Sequence, residues 1–339
     1  MVKAGTATVR DCVAVLEAAF PPAWAQSWDA VGLAVGDPEA LVSSVLFAVD
    51  PTPEVAAEAA RGAQLLVTHH PLFLRGVHGV AETSAGGQVV ATLIRAGAAL
   101  FTAHTNADVA KPGVSDALAA AIGLRRVTPL DAPPPAASED ADDAAHVDAS
   151  ADAPDAPDAP DAPDALDAAD VADVDDAGSG EEAGSVDVDT GATACRGLGR
   201  IGELPAPEPL GDFLARVARA LPATAAGVRA TGAADRLVHR VAVCGGAGGE
   251  LVGAARAAGA DAFVTADGRH HHVLDAVGAH GVGPNPVTVV DVAHWASEWP
   301  WLGQAAARLR EGLAARGRTV STSVSAIVTD PWRLHVPSR

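Results

Sequence analysis

Cysteine is scarce in this chain, and its spacing excludes two kinds of cysteine-built architecture. Cys12, Cys195 and Cys244 are an odd number with no CxxC pair, so neither a disulfide framework nor a zinc ribbon is indicated, and a reducing, cytoplasmic setting is expected. Long uncharged apolar runs are also missing, which argues against a membrane span. The first twenty residues carry Asp11 and Glu17 inside their apolar part, unlike a signal peptide. Bases are outnumbered: 23 Lys and Arg against 43 Asp and Glu give a formal net charge of -20. That imbalance is local. Residues 131–190 hold 20 of the acids and no Lys or Arg, which leaves 23 acids against 23 bases elsewhere. The rest of the chain therefore offers no electrostatic footing to nucleic acid or a membrane surface. What the chain does have is 339 residues of which 49% are hydrophobic, enough for two domains with real cores.

The acidic stretch divides the chain. "DAPPPAASEDADD" and the repeated "DAPDAPDAPDAPDA" bury too little apolar surface to offset chain entropy, and their prolines and like charges favour extension. Residues 131–195 therefore read as a disordered insert between one α/β half, 1–130, and another, 196–294. Thr8 and Asp11 make a capping-box pattern ahead of a helix that puts Val9, Cys12, Val13, Leu16 and Phe20 on one face. "SSVLFAV" predicts a strand, and Thr52 with Pro53 a helix start. "QLLVT" and "AALFTAH" predict strands, "GQVVATLIRAG" a helix, and "SDALAAAIGL" a helix capped by Ser115. After the insert, "PLGDFLARVARAL" predicts an amphipathic helix, and "RVAVC", "DAFVTA" and "PVTVVDVA" predict strands. "HHVLDAVGAHG" and residues 299–316 predict helices, and "TVSTSVSAIV" a last strand. The fold class is α/β with mostly parallel sheets.

In such folds ligands bind beyond the carboxyl ends of the strands, and three predicted strands end in polar residues of one kind. "QLLVT" runs into His69 and His70, "AALFTA" into His104 with Asp108 four residues on, and "PVTVVDVA" into His294 with Glu298 four residues on. Imidazole and carboxylate together suit zinc, iron or manganese. Each motif alone has a plainer reading: turn histidines, a turn cap at His104, a helix pair at one-turn spacing. Taken together, five or six donors exceed what one tetrahedral ion needs and match two ions sharing a carboxylate, an arrangement suited to hydrolysis.

"WDAVGLAVGDP", "VTHHPL", "AHTNAD", "GVSDALA", "GLGRIGEL", "VAVCGGAG", "DAFVTAD" and "HWASE" occur in that order. In this the chain resembles the Nif-three-like family of dinuclear metal-centre hexameric proteins, labelled GTP cyclohydrolase I type 2 homologues. The resemblance implies two α/β domains with the metals in the cleft between them, the C-terminal segment from about 295 to 339 returning to the first domain, and a homohexamer. It also implies two divalent ions per chain held by His69, His70, Asp108, His294 and Glu298, with His104 beside them as a catalytic proton carrier. The implied activity is metal-activated water attacking the guanine ring of GTP. Other outcomes of the same residues are a different nucleotide or metabolite metallohydrolase, such as a phosphoesterase, and a non-catalytic metal-binding regulatory scaffold. Where the family shows Gly-Glu after "FVT", this chain has Ala266 and Asp267.

Four further features are ambiguous. "CGGAGGE" is either an anion-binding turn or a tight turn between strand and helix. His270, His271 and His272 either line the pocket or decorate a helix start. Trp28 is expected in the core, with Asp29 near the metals. Trp295, Trp299 and Trp301 are expected in packing or a subunit contact.

Overall fold

The computed structural model describes residues 5–131, 196–278 and 286–336. Apart from Asp131, the expected disordered insert lies outside the described residues. The chain opens with β1 (Gly5–Thr8) and α1 (Val9–Ala19), then β2 (Gly32–Val35), β3 (Leu41–Val42), β4 (Ser44–Ala48) and α2 (Pro53–Ala59). It continues through β5 (Leu65–Thr68), α3 (Ala85–Ala96), β6 (Ala99–Thr102), α4 (Thr105–Val109), α5 (Val114–Ile122) and β7 (Arg125–Asp131). Beyond the undescribed stretch come β8 (Leu198–Pro209), α6 (Leu210–Ala220), β9 (Arg229–Ala230), β10 (Leu237–Ala247), α7 (Val252–Ala257) and β11 (Ala262–Ala266). The last elements are α8 (His270–Ala276), β12 (Thr288–Val292), α9 (His294–Ala315), β13 (Arg318–Thr319) and β14 (Ser321–Val324).

These elements form an α/β fold around two main sheets. The first has the order β14-β4-β5-β6-β2, parallel except for β2. Every residue of β5 and β6 is buried, which is why their sequences are continuous apolar runs rather than alternations. The second sheet, β7-β8-β10-β11-β12-β9, is parallel only through β10, β11 and β12. Its remaining pairings are antiparallel, so the expectation of mostly parallel sheets holds for the first sheet and not for this one. β7 and β8 were not predicted. They lie on opposite sides of the undescribed stretch and pair with each other, Asp131 opposite Leu198. A short three-stranded sheet, β13-β1-β3, completes the first half.

One core cluster runs through both sheets, from Val45 and Phe101 to Val241 and Val264, with Trp301, Leu302 and Leu309 of α9 inside it. Two predicted starts move. α5 is capped at Gly113, whose N–H donates to Asp116 at 2.8 Å, while Ser115 is buried in the first turn. α9 begins at His294, five residues before the predicted start, because Ala293 supplies the extended cap and Pro300 is carried inside the helix. No helix among the described residues is long and apolar enough to cross a membrane.

Candidate metal centre

β5, β6 and α9 bring the predicted donors to one point. The N–H groups of His69 and His70 donate to the carbonyls of Ala48 and Val49, and the Thr68 hydroxyl donates to the His70 carbonyl at 2.8 Å. Beyond β6, His104 caps the short helix α4 and Asp108 follows one turn later. The first turns of α9 carry His294 and Glu298 on one face, with Nε2 and Oε1 2.9 Å apart.

Four imidazoles converge, and the back of each ring is held. His69 Nδ1 lies 2.9 Å from the Ala103 carbonyl, His70 Nδ1 2.7 Å from Asp50, His104 Nδ1 2.8 Å from Asp29, and His294 Nδ1 2.6 Å from Asp267. Carbonyl and carboxylate oxygens only accept hydrogen bonds, so each Nδ1 carries the hydrogen and each Nε2 presents a lone pair when the ring is neutral. Partners of this kind behind an imidazole are the usual support of a metal ligand. Asp50 also accepts from the Thr329 hydroxyl, so the chain beyond β14 is tied to His70 through one carboxylate. Asp29, its side chain enclosed, accepts from the Thr105 amide and hydroxyl as well.

The fronts of the rings face carboxylates. His69 Nε2 is 3.6 Å from Asp108 and 3.4 Å from Glu298, and His70 Nε2 is 3.2 Å from the other Glu298 oxygen. Neither His69 Nε2 nor Glu298 Oε2 has a hydrogen-bond partner of acceptable geometry, although both are buried. Buried polar atoms rarely remain unpartnered, and a cation between them would satisfy both. Donor atoms around a tetrahedral ion with bonds of about 2.1 Å lie about 3.4 Å apart, and the cluster spans that spacing. The donor atoms within each of two groups, His69–His70–His104 and His70–His294–Glu298, lie within 4.8 Å of one another, with Asp108 outside both. The residues therefore fit a metal, and the His/Glu cluster can hold one.

The electrostatics have the same origin. Burial opposes charge on His69 and His70, yet Glu298 with Asp108 raises His69, and Glu298 with Asp50 holds His70 well above the usual imidazole range. Burial likewise opposes charge on His294, but Glu298 and Asp267 push it up to about 10. Burial works against the Glu298 carboxylate too, and the surrounding imidazoles hold it well below its ordinary range. Burial pushes Asp108 up to about 6. His104 is lowered by burial and by the neighbouring His69, which favours its neutral form.

The second sheet gives this point room. Gly246 has φ +68°, and a Cβ there would stand 2.5 Å from Glu298 Oε1 and 3.2 Å from His294 Nε2. Only glycine permits both that conformation and that approach. In "CGGAGGE" three amides are engaged within the protein, as the tight-turn reading expects: Gly245 with Ser115, Gly246 with Ser297 at 2.8 Å, and Gly248 with Thr265 at 2.8 Å. Trp28 is not core; it is 55% exposed and sits edge-on to His104 at 5.9 Å, where an indole covers part of the site. Trp295 and Trp301 are buried, and Trp301 packs on Phe20 and His69. His270 and His271 are exposed and, with His272, stand outside both donor groups. Sequence reasoning missed Asp50 and Thr329; Asp50 follows a buried strand just as His69 does, whereas nothing in the local pattern marks Thr329.

The family model described as Duf34/NIF3 (NGG1p interacting factor 3) matches residues 7–331. The chain belongs to that family. A Mycobacterium tuberculosis relative named GTP cyclohydrolase 1 type 2 homolog is 42% identical over 373 residues, covering 96% of each chain. A Streptomyces coelicolor relative of the same name is 43% identical over 329 residues, covering 97% of this chain and 94% of its own. The crystal structure of a Bacillus cereus protein related to NIF3 superposes with a TM-score of 0.73 at 22% identity, covering 96% of this chain and 98% of that one. That last likeness is one of fold. In this NIF3-family chain Asp267, where the resemblance has Glu, holds His294 from a left-handed backbone conformation, φ 54°.

Proposed function

We propose that the chain is a divalent-metal-dependent hydrolase with a dinuclear centre, opening the guanine ring in the manner that its relatives' name implies. The observation that carries this reading is the set of four back-held imidazoles whose fronts meet two carboxylates, with His69 Nε2 and Glu298 Oε2 left unpartnered. His69, His70, Asp108, His294 and Glu298 would hold the ions, and their number suits two ions better than one. When bound, such ions supply Lewis acidity and lower the pKa of water, and zinc, iron and manganese all suit this donor set. The family resemblance adds a homohexameric assembly and a cytoplasmic setting to the proposal.

His104 is the proton carrier. Asp29 fixes its Nδ1–H at 2.8 Å, its Nε2 is free to accept, and burial keeps it neutral. Hydrolysis of both bonds between carbon 8 and nitrogen in the guanine ring consumes two waters and releases formate. Each cleavage requires a proton to be taken from water and given to the departing nitrogen, and a neutral imidazole does both.

The test is elemental analysis of the purified protein together with a formate assay on guanine substrates after reconstitution with zinc, iron and manganese in turn. Two ions and metal-dependent formate are expected. Two ions with no formate from guanosine or GTP would remove the ring-opening chemistry and leave a metal centre of other purpose.

A further inference from the structure

Two cavities meet at the cluster, and their charge narrows what can bind there. The smaller, about 390 Å³, is bounded by Trp28, His104, Asp108, Glu250 and Glu298, with the Gly245–Ala247 backbone. The larger, about 580 Å³, reaches His70 and His294 and is walled on the far side by the C-terminal segment with Trp332. Both have the size of small-molecule sites.

Neither is built for phosphate. The smaller cavity has no Lys or Arg among the described residues that line it. The larger has four aspartates, Asp50, Asp267, Asp291 and Asp330, against Arg229, whose Nε is already 2.7 Å from Asp291. Two divalent ions at the centre would exceed the charge of Asp108 and Glu298 by two, but the four aspartates of the larger wall and Glu250 together outnumber that surplus and Arg229. Three amides of the glycine-rich turn that could have formed a backbone cradle for phosphate are already spent, because Gly245, Gly246 and Gly248 donate to side-chain hydroxyls. What both cavities do present is an exposed indole, Trp28 at 55% and Trp332 at 68%, each a flat apolar face for a planar ring.

We infer that the substrate of this centre is a neutral or cationic planar heterocycle of nucleoside size, without a polyphosphate tail. This rests on the hydrolase reading above and sharpens it: a guanine ring is accepted, and a triphosphate is a liability.

The experiment measures binding of guanosine, GMP and GTP to the full-length, zinc-loaded protein by calorimetry, in low salt and in about 1 M salt, where charges are screened beyond about 3 Å. Affinity is expected to fall with each added phosphate, at least tenfold from guanosine to GTP. GTP affinity should rise with salt, opposite in sign to phosphate held by cations. Asp291→Asn, which removes one carboxylate charge from the larger wall and loosens its hold on Arg229, should narrow the gap between guanosine and GTP by improving GTP. GTP binding more tightly than guanosine and weakening with salt would overturn the inference, as would failure of all three to bind. Formate is followed on the same samples. Its absence with the affinity order intact counts against the hydrolase reading alone, whereas formate from GTP with the order reversed counts against the charge preference alone.

Discussion

The carboxyl ends of β5 and β6 deliver His69, His70, His104 and Asp108, whereas the carboxyl end of β10 delivers glycine. The first sheet supplies donor atoms, each imidazole braced from behind by a carbonyl or a carboxylate. The second supplies space, because at Gly246 the backbone approaches Glu298 more closely than any side chain allows. α9 belongs to neither sheet and closes the site from a third direction with His294 and Glu298. A cluster of this kind therefore needs two different things of its sequence, polar groups at strand ends and the absence of side chains opposite them.

The sharpest way to break the donor side is Glu298→Gln. This carboxylate is 3% exposed and faces three imidazoles, so metal affinity should fall on the order of 100-fold or more, beyond the loss typical of a supporting residue, as read by elemental analysis after dialysis. The same variant changes the metal-free protein. Raised folded-state values on His70 and His294 mean that their charge stabilises the fold fully below about pH 6.5, and that this contribution is lost as pH rises through about 10 for His294. Glu298 acts in the opposite direction: held below its ordinary 4.5, it stabilises above that value and the contribution is lost as pH falls. Metal-free stability should therefore peak in mildly acidic solution, and Glu298→Gln should flatten both flanks in pH-dependent denaturation curves. Because His294 is protonated at pH 7 in the metal-free chain and must lose that proton to ligate, metal uptake should release protons. Calorimetry in buffers of different ionisation heat measures them.

Asp50→Ala removes the brace behind His70 and its tie to Thr329 while leaving every donor in place. A loss of about 10- to 100-fold in metal affinity is expected. No change would show that His70 is oriented by the β5 turn alone.

Gly246→Ala tests the other side of the comparison. A left-handed alanine costs about 1–2 kcal/mol, a factor of about 5–30 in the folded population, and its Cβ must displace Glu298 Oε1. Both the melting temperature and the metal content should fall, while Gly253→Ala, in α7 where a Cβ meets nothing within 4 Å, should leave the metal content unchanged and the melting temperature no lower.

The donors were legible because each stands just after a buried apolar run, where a polar side chain has one direction left to point. His294 and Glu298 were legible as a pair, but the helix that carries them was not, since Pro300 resembles a helix start more than an interior residue. Gly246 could not be read at all: its role depends on Glu298, 52 positions away in the sequence, and glycine before glycine looks like any turn. Trp28 was misplaced because a lone indole carries no periodicity to say which side of it is wet. β8 escaped because Gly199, Arg200 and Gly202 interrupt its apolar pattern, although Arg200 is fully buried and paired with Asp116 at 2.7 Å.

Residues 132–195 set the lower end of the scale of effects. The stretch leaves from β7 and returns to β8, which are hydrogen-bonded neighbours with Asp131 opposite Leu198. A short linker can span that gap, and shortening a flexible loop between paired strands lowers its closure entropy cost, by on the order of 2 kcal/mol here. Replacing 132–195 by a few Gly and Ser residues should therefore leave metal content and oligomeric state unchanged and the melting temperature no lower, with light scattering, elemental analysis and thermal denaturation as the readouts. A variant that kept its metals but changed its oligomeric state would show that the acidic stretch acts between chains, and would separate the requirements of assembly from those of the centre.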